Sequence, residues 1–434
     1  MGFGVGFIKI STSEVFCIFS RLRLQTNYPR SLGKPSGIPS LRSVSSGFPC
    51  VRFGNLLTAR SACLQIQITL LFHYYIFPMS FSVGLVGLPN VGKSTLFQAL
   101  TKKQVAAENY PFCTIDPNVG VVAVPDERLA PLAAMSKSAR ILPTTIEFVD
   151  IAGLVKGAHK GEGLGNAFLS HIREVDAICH VMRHFSDPDV THVDGHVDAL
   201  ADLDVIGVEL IMADLKTVTQ RRVGLGKKVK SGDKEAVLLA AALVRVQAAL
   251  EAGKAAREVM FEEDERLLVA QLQLLTMKPV MHVVNADEGV AVADLPEALR
   301  ALAPVVMCAK LEAELVGMPA VEVKEYLEAS GITLTGLDQL AVAGYRVLDL
   351  ITFLTTGVTE TRAWTVRRGA CAPEAAGVIH TDFIKGFIRA EVVFWRDLLA
   401  AGSWAGARDV GKLRTEGKDY VMQDGDVVDF KVGV

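Results

Sequence analysis

The stretch Gly87-Leu-Pro-Asn-Val-Gly-Lys-Ser-Thr95 is a glycine-rich loop between a predicted strand and a predicted helix. The short apolar run 82–87 leads into it, and the apolar residues Leu96, Phe97 and Leu100 follow it at helical spacing. The loop matches G-x-x-x-x-G-K-[ST] in the strand–loop–helix context that a phosphate-binding loop requires. We therefore predict an α/β fold whose first loop binds the phosphates of a nucleoside triphosphate.

The residue types in this loop suit that chemistry. Gly87 and Gly92 let the backbone curl so that several N–H groups point at one phosphate. Lys93 brings a positive charge to the reacting phosphates, which makes it a candidate catalytic residue, and the start of the helix adds its partial positive charge. Ser94 offers a hydroxyl to Mg²⁺. The predicted phosphate-binding residues are Gly87, Asn90, Val91, Gly92, Lys93, Ser94 and Thr95.

Two later segments have the composition of nucleotide-sensing loops. In Asn109-Tyr-Pro-Phe-Cys-Thr-Ile-Asp-Pro117, Thr114 can bind Mg²⁺ through its hydroxyl and the γ-phosphate through its backbone N–H. A predicted strand ends in Asp150-Ile-Ala-Gly153, where the carboxylate can hold the water shell of the metal and the N–H of Gly153 can contact the γ-phosphate. Together these elements predict a nucleotide switch. Its predicted Mg²⁺ residues are Ser94, Thr114 and Asp150.

The residue after this D-x-x-G sequence is Leu154, where switches of the Ras type carry the glutamine that orients the attacking water. Leucine cannot orient water, so we predict either another way of holding it or slow hydrolysis until a partner completes the site. Five glycines then fall within thirteen positions, too many for a stable helix, and they predict a mobile segment that nucleotide orders. They are residues 153, 157, 161, 163 and 165.

Base recognition is predicted at Asn285-Ala-Asp-Glu288, which follows a predicted strand. Guanine switches usually carry N-K-x-D there, whereas this chain lacks the lysine and has Glu288 as its acid. A carboxylate displaced by about one bond would pair poorly with guanine, and an unpaired buried polar group costs about 1–3 kcal/mol. Adenine is therefore favoured over guanine. The alternative interpretation is that residues 285–288 form an ordinary turn after a strand. The turn around Cys308 is expected to pack on the base. The predicted base-binding residues are Asn285, Ala286 and Glu288.

Composition argues against several classes of protein. The chain has 434 residues, enough for two or three domains, and its 45 basic and 48 acidic side chains leave a net charge of −3. That balance gives no global reason to bind nucleic acid or an anionic membrane. The seven cysteines include no C-x-x-C pair, which argues against zinc ribbons and disulfide scaffolds and favours a reducing, cytoplasmic location. No apolar run reaches the roughly 18–20 residues of a spanning helix, so no membrane association is expected.

Residues 1–78 differ from the rest of the chain. They carry eight basic side chains and one acidic one, and residues 30–62 are rich in Ser, Gly and Arg without a sustained period. An organellar transit peptide would fit this composition, whereas a secretory signal fits poorly. We favour a third interpretation, translated upstream sequence with the true start at Met79, because an ordered domain is predicted directly after it. We therefore treat residues 1–78 as a separate basic N-terminal extension, which either results from a misplaced start or is disordered.

Residues 198–276 are predicted to form a helical insertion. Apolar residues recur there at spacings of three and four, and turns at Gly224-Leu-Gly226 and Ser231-Gly-Asp233 divide the stretch. We predict an antiparallel helical hairpin, which would serve as a docking arm or lever, or as scaffold alone.

The pattern changes to short strands and turns after about residue 345, including 372–380 and a hairpin signal at Asp424-Gly-Asp426. Basic residues are interspersed with aromatic ones here, a pattern that suits RNA binding. The alternative interpretation is that the basic residues form a solvated face and the aromatic ones an ordinary core. The residues concerned are Arg362, Trp364, Arg367, Arg368, Phe383, Lys385, Phe387 and Arg389.

The order and content of these motifs closely resemble the YchF subfamily of Obg-like ATPases. Members of that subfamily carry N-x-x-E in place of N-K-x-D and prefer ATP, and they have an apolar residue in place of the catalytic glutamine, as Leu154 is here. The resemblance covers about 79–434 and rests on 87–95, 109–120, Val124-Pro-Asp-Glu-Arg-Leu129 and Asp150-Ile-Ala-Gly-Leu-Val-Lys-Gly157.

The resemblance implies a P-loop NTPase domain of the Obg type over 79–345, with a coiled-coil insertion, and a C-terminal β-grasp (TGS) domain over 346–434. It also implies a hydrolytic role for His192, in His192-Val-Asp-Gly195, and a K⁺ ligand at Asn90 beside the Mg²⁺ site. The expected partner is the ribosome or ribosomal RNA, contacted by the TGS domain and the helical arm. A monomer or weak dimer is expected.

The function expected from these motifs is an ATP-binding switch that hydrolyses ATP slowly. Two alternatives stay open. A GTP-hydrolysing translation factor would share every element except residues 285–288. A ribosome- or RNA-binding adaptor, in which nucleotide only sets conformation, is favoured by Leu154 and disfavoured by His192.

Overall fold

The computed structural model describes residues 81–103, 117–151, 163–186 and 198–433, so the predicted extension 1–78 lies outside the described residues. None of the helices in these ranges has both the length and the apolar character needed to cross a bilayer. The strands are β1 (Ser82–Val86), β2 (Val119–Ala123), β3 (Ile141–Leu142), β4 (Thr145–Asp150), β5 (Ala177–His184), β6 (Val280–Ala286), β7 (Val305–Met307), β8 (Leu350–Thr356), β9 (Thr361–Arg367), β10 (Phe387–Phe394), β11 (Arg414–Glu416) and β12 (Asp426–Val432). The α-helices are α1 (Lys93–Lys102), α2 (Leu129–Ser136), α3 (Gly163–Glu174), α4 (Ala199–Lys230), α5 (Lys234–Glu251), α6 (Glu263–Ala270), α7 (Glu297–Arg300), α8 (Ala309–Leu315), α9 (Ala320–Ser330), α10 (Gly336–Val347), α11 (Ala372–Ile379), α12 (Asp382–Gly386), α13 (Trp395–Ala401) and α14 (Trp404–Asp409).

Six strands form the first sheet, in the order β2-β4-β1-β5-β6-β7. β2 is antiparallel to β4, and every other neighbouring pair is parallel. Apolar runs such as 83–86 are buried, as expected of central strands that helices cover on both faces. Parallel strands end at the same edge of a sheet, so the loops after β1, β4 and β6 meet there. These loops carry the predicted phosphate loop, Asp150 and the turn 285–288.

One polar side chain is buried in the middle of this sheet. His180 of β5 lies opposite Val86 of β1 on one side and His282 of β6 on the other, and the two imidazole centroids are 6.4 Å apart. The Nε2 atom of His180 has no hydrogen-bond partner within the described ranges. Burial, with a smaller effect of His282, lowers the pKa of His180 to about 3. The imidazole is therefore neutral at physiological pH, as a packing residue should be.

The glycine-rich segment after β4 leads into a helix. Gly163 and Gly165 lie in the first turn of α3, although the glycine content predicted no stable helix. Here the prediction is wrong, because the first turn of a helix lacks most intrahelical N–H bonds and α3 continues through better helix formers. The other three glycines lie outside the described residues.

The predicted helical insertion is a hairpin of α4 and α5, joined at residues 231–233. Leu239, Leu243, Val246 and Leu250 of α5 lie in one buried cluster, which confirms their helical spacing, whereas Ile206 and Leu210 of α4 are buried in the core of the first sheet. The predicted break at Gly224-Leu-Gly226 is wrong, because α4 continues through it. Leu225 is buried in the cluster, and this packing outweighs the roughly 1 kcal/mol that each glycine costs a helix. Coiled-coil winding of the two helices stays a prediction.

Buried hydrogen bonds tie this hairpin to the segment that enters β6. The carboxylate of Asp214 on α4 is almost fully buried and accepts from the backbone N–H groups of Leu275 and Thr276, at 2.9 and 2.7 Å. It also accepts from the Thr276 hydroxyl at 2.7 Å, and that hydroxyl accepts from the N–H of Ala256 at 3.0 Å. The arm is thus fixed to the strand that ends at the predicted base-binding turn.

The C-terminal strands form a second sheet, in the order β11-β10-β12-β8-β9-β3. β8 and β9 are an antiparallel pair, β12 is parallel to β8, and β10 is antiparallel to both β12 and β11. With α11 connecting β9 to β10, the strands β8 to β12 have the predicted β-grasp arrangement, two hairpin-like pairs joined through a central parallel pair.

Two predictions within this module are wrong. Residues 372–379 form α11, because Pro373 suits the first turn of a helix and the carboxylate of Glu374 accepts from the N–H of Cys371 at 2.7 Å. The turn Asp424-Gly-Asp426 is not a hairpin, since β12 pairs with β10 and β8 rather than with the strand before the turn. Glycine is required at 425, where φ is 89° and a Cβ would lie 2.7 Å from the Trp395 ring.

The second sheet includes residues from the first half of the chain. β3 pairs in parallel with β9, with Ile141 opposite Thr361. Leu132 of α2 is buried in one apolar cluster with residues of β8, β10 and β12. Arg128, just before α2, donates to the carboxylate of Asp424 at 2.8 Å. The two parts of the chain therefore share packing across the predicted boundary at 345/346, which itself stays a prediction.

Candidate functional site

The predicted phosphate loop joins β1 to α1. Asn90 and Gly92 have positive φ values of 65° and 89°, so the chain turns sharply just before the helix begins at Lys93. Ser94 and Thr95 are exposed in the first turn of α1. Backbone N–H groups at the start of a helix lack intrahelical partners, so this end of α1 is built to bind an anion.

Close packing explains both glycines of the motif. A Cβ on Gly92 would lie 2.1 Å from Nδ2 of Asn285, and a Cβ on Gly87 would lie 2.7 Å from the carbonyl oxygen of Val181. Real Cβ atoms do not approach other atoms so closely. The loop can therefore reach β5 and β6 only with glycine at these two positions.

Lys93 and Asp150 form an ion pair in which Nζ of the lysine contacts Oδ1 of the carboxylate. Their side chains are 10% and 24% exposed, so solvent reaches the pair only in part. The pair places the ammonium of Lys93, which can bind phosphate, beside the carboxylate of Asp150, which can bind a hard metal ion such as Mg²⁺. With the hydroxyl of Ser94 on the next residue, the oxygen donors present fit Mg²⁺. Thr114, the third predicted Mg²⁺ residue, lies outside the described residues.

Asn285 connects the phosphate loop to the predicted base-binding turns. Its side chain is buried, Nδ2 donates to the carbonyl oxygen of Val91 at 3.0 Å, and Oδ1 accepts from the N–H of Ala309 at 3.0 Å. These two bonds hold the phosphate loop, the end of β6 and the start of α8 in fixed positions. The structure thus gives Asn285 a positioning role, and contact of Asn285 and Ala286 with a base stays a prediction.

The turn after β6 is held on two sides. Oε1 of Glu288 accepts from the Tyr326 hydroxyl of α9 at 3.1 Å. The carboxylate of Asp287 accepts from the N–H of Ser186, after β5, at 3.2 Å. Cys308, at the N-terminal end of α8, is half-buried. Glu288 is exposed, so a ligand can approach its carboxylate.

Most of the predicted site residues meet at one edge of the first sheet. The phosphate loop, Asp150 and the turn 285–288 follow β1, β4 and β6. Gly153, Leu154 and His192 lie outside the described residues, and their roles stay predictions. Within the ranges that the structure describes, no three His, Cys, Asp or Glu side chains form a group that could hold a metal ion. A Mg²⁺ site that shares its ligands with nucleotide phosphates does not need such a group.

Two aromatic residues at this edge were missed by the sequence analysis. The Phe185 ring would lie 3.8 Å from a Cβ on Gly92, and the guanidinium of Arg183 lies over that ring, 4.4 Å from its centroid. Tyr326 is 38 residues beyond its partner Glu288. Neither residue belongs to a motif, so no local signal in the sequence could have found them.

Two family models match separate parts of this chain. The model described as "50S ribosome-binding GTPase" matches residues 82–213. The model YchF-GTPase_C, described as "Protein of unknown function (DUF933)", matches residues 350–433.

Several curated proteins are similar over most of the chain. Ribosome-binding ATPase YchF of Bacillus subtilis is 51% identical over 368 residues, which are 82% of this chain and 100% of that protein. The protein of the same name from Escherichia coli O157:H7 is 47% identical and covers 82% of this chain and 100% of its own length. Among solved structures, one titled as the Schizosaccharomyces pombe YchF GTPase matches with a TM-score of 0.72 and 38% identity. It covers 81% of this chain and 98% of that chain.

Proposed function

The chain belongs to the YchF family, and on that premise we propose that it binds ATP and hydrolyses it slowly, as a Mg²⁺-dependent switch that acts on the ribosome. The observation that carries this proposal is the meeting of the Lys93–Asp150 pair with the turn 285–288 at one sheet edge. The names of the relatives support the ATPase and ribosome parts of the proposal.

The phosphate end of the site supports triphosphate binding. The N–H groups at the start of α1 and the ammonium of Lys93 would bind the phosphates, which carry most of the nucleotide charge. Ser94 and Asp150 would hold Mg²⁺, directly or through its water shell, and the bound ion would neutralise charge on the β- and γ-phosphates. Hydrolysis is proposed to be slow because Leu154 cannot orient a water, with His192 as the candidate that compensates.

The base end of the site supports adenine. Asn285 is fixed by Val91 and Ala309, so the turn that it starts has a defined position relative to the phosphates. The acid at the end of the turn is Glu288, and the residue after Asn285 is Ala286 where guanine switches have lysine. A site without that lysine and with a displaced carboxylate loses the contacts that select guanine.

A side-by-side titration of the full chain with labelled ATP and GTP, in Mg²⁺ and K⁺, tests this proposal. We expect ATP to bind about tenfold more tightly, which corresponds to about 1.4 kcal/mol. Equal affinities, or tighter GTP binding, would show that residues 285–288 do not select adenine.

The helical arm is the stronger candidate for contact with ribosomal RNA. Its tip, residues 221–234, carries five exposed basic side chains, Arg221, Lys227, Lys228, Lys230 and Lys234. In the C-terminal module, by contrast, part of the predicted basic-aromatic set is engaged within the fold. Arg367 pairs with Asp176 at 3.4 Å, and Phe387 is buried. Clustered exposed cations suit a phosphate backbone.

Reversing the charge of Lys227, Lys228 and Lys230 together to Glu should weaken sedimentation with ribosomes. Each lost phosphate contact makes the negative slope of log affinity against log salt concentration shallower by about 0.7–0.9. The slope of the triple variant should therefore be shallower by about two units. Reversing three exposed basic residues outside the tip, Lys137, Arg266 and Arg300, is the charge-matched control. Equal loss in both variants would point to general electrostatics rather than to the arm.

Two alternatives have specific support. The solved relative from Schizosaccharomyces pombe is titled a GTPase, which supports GTP as the nucleotide, and the titration decides this point. Leu154 supports an adaptor in which nucleotide only sets conformation. Ribosomes that accelerate ATP turnover by the wild type, but not by the arm variant, would favour the switch over the adaptor.

A further inference from the structure

Tyr326 reaches the predicted base-binding turn from a helix that carries no nucleotide motif. Its hydroxyl donates to Oε1 of Glu288 at 3.1 Å. Partial desolvation, followed by the hydrogen bond to Glu288 and the charge of that carboxylate, raises the pKa of Tyr326 above its ordinary value. The phenol is therefore protonated at physiological pH and serves as the donor of this bond.

This bond changes what Glu288 can offer to a base. A carboxylate reads guanine by accepting from N1–H with one oxygen and from the exocyclic amine with the other, so it needs both oxygens in the plane of the base. Adenine has one exocyclic amine on that edge and no N1–H, so a single acceptor oxygen is enough. A hydroxyl bound to Oε1 takes one lone pair and also fixes the rotation of the carboxylate.

We propose that Tyr326 is a specificity-determining residue that disfavours guanine by holding Oε1 of Glu288. This inference rests on the proposed function, since it assumes that Glu288 faces the base. Glu288 is exposed, and within the described part of the chain the hydrogen bond from Tyr326 is the contact that restricts rotation of its carboxylate. Rejection of guanine would then depend on the fixed orientation of the Glu288 carboxylate as well as on the missing lysine.

The test is equilibrium binding of ATP, GTP and ITP to the full-length wild type and to Tyr326→Phe. The wild type should bind GTP and ITP with similar affinity, because Tyr326 holds the carboxylate out of the orientation in which its two oxygens face N1–H and the exocyclic amine together. In Tyr326→Phe the carboxylate is free to rotate so that both oxygens face the base, so the ATP-to-GTP preference should fall by about threefold to tenfold, and GTP should gain over ITP. Tyr420→Phe is a matched control, since Tyr420 donates to the carboxylate of Asp426 at 2.7 Å in the C-terminal module.

Glu288→Ala, alone and combined with Tyr326→Phe, separates this inference from the proposed function. If Tyr326 acts through Glu288, its replacement should change nothing further once Glu288 is gone. An unchanged preference in Tyr326→Phe, with a changed one in Glu288→Ala, would overturn the role of Tyr326 alone. An unchanged preference in Glu288→Ala would overturn the proposed base site and this inference with it.

Discussion

Replacing Lys93 with alanine is expected to weaken ATP binding by about a hundredfold or more. The ammonium stands at the start of α1 beside Asp150, where the phosphates of a bound nucleotide would lie. Removing it would delete charge-assisted hydrogen bonds worth about 1.5–3 kcal/mol each and leave Asp150 without its partner near anionic phosphate. At about 1.4 kcal/mol per tenfold, two such bonds correspond to a hundredfold loss or more. Equilibrium titration with labelled ATP measures the loss.

Lys103→Ala is the matched control for this experiment. Lys103 follows the other end of α1 and is also paired with a carboxylate, Asp338, at 2.6 Å. Its removal should leave ATP affinity unchanged. If Lys93→Ala binds ATP as the wild type does, residues 87–95 are not the phosphate site. Thermal melting of both variants verifies that each remains folded.

Replacing Asp214 with alanine is expected to destabilise the fold by about 3–5 kcal/mol. The substitution leaves the buried N–H groups of Leu275 and Thr276 without an acceptor, and each unsatisfied group costs about 1–3 kcal/mol. It also removes the acceptor of the Thr276 hydroxyl and opens space inside the hairpin. For a chain of this size the midpoint of thermal unfolding should fall by about 5–10 °C, measured by circular dichroism.

Asp204→Ala, on the same helix, is the control because Asp204 is exposed. It should shift the midpoint by no more than about a degree, since exposed substitutions change stability by about 0.5 kcal/mol or less. Asp214→Asn keeps the size of the side chain but turns one acceptor into a donor, so it should lie between the wild type and Asp214→Ala. Equal midpoints for the two alanine variants would mean that Asp214 does not anchor the hairpin.

The parts of the site that could be predicted from the sequence are those that a short stretch of chain specifies by itself. The phosphate loop depends on glycines at fixed spacing and on a strand and helix that flank it, and all of these are visible in about fifteen residues. The same holds for Asp150 at the end of β4 and for the turn 285–288. Their meeting at one edge follows from the rule that parallel strands end together.

The parts that could not be predicted depend on contacts between distant residues. Tyr326 reaches Glu288 only because α9 packs beside the turn. Leu225 keeps α4 continuous through two glycines because α5 covers it. The pairing of β3 with β9 joins residues some 220 positions apart, and two residues of strand give no periodic signal. Local propensity is a weak guide wherever tertiary packing of this kind decides the outcome.

The pairing of β3 with β9 also limits how this molecule can be divided or exchanged. β3 lies in the chain between the phosphate loop and Asp150, yet it forms the outermost strand of the C-terminal sheet. A module cut out after residue 345, or transplanted onto another protein, would leave β9 as a bare edge and expose the apolar face that α2 covers. Bare edges and apolar faces promote aggregation. Recombination between related genes should therefore exchange the two halves of the chain together, because β3 of the first half completes the sheet of the second.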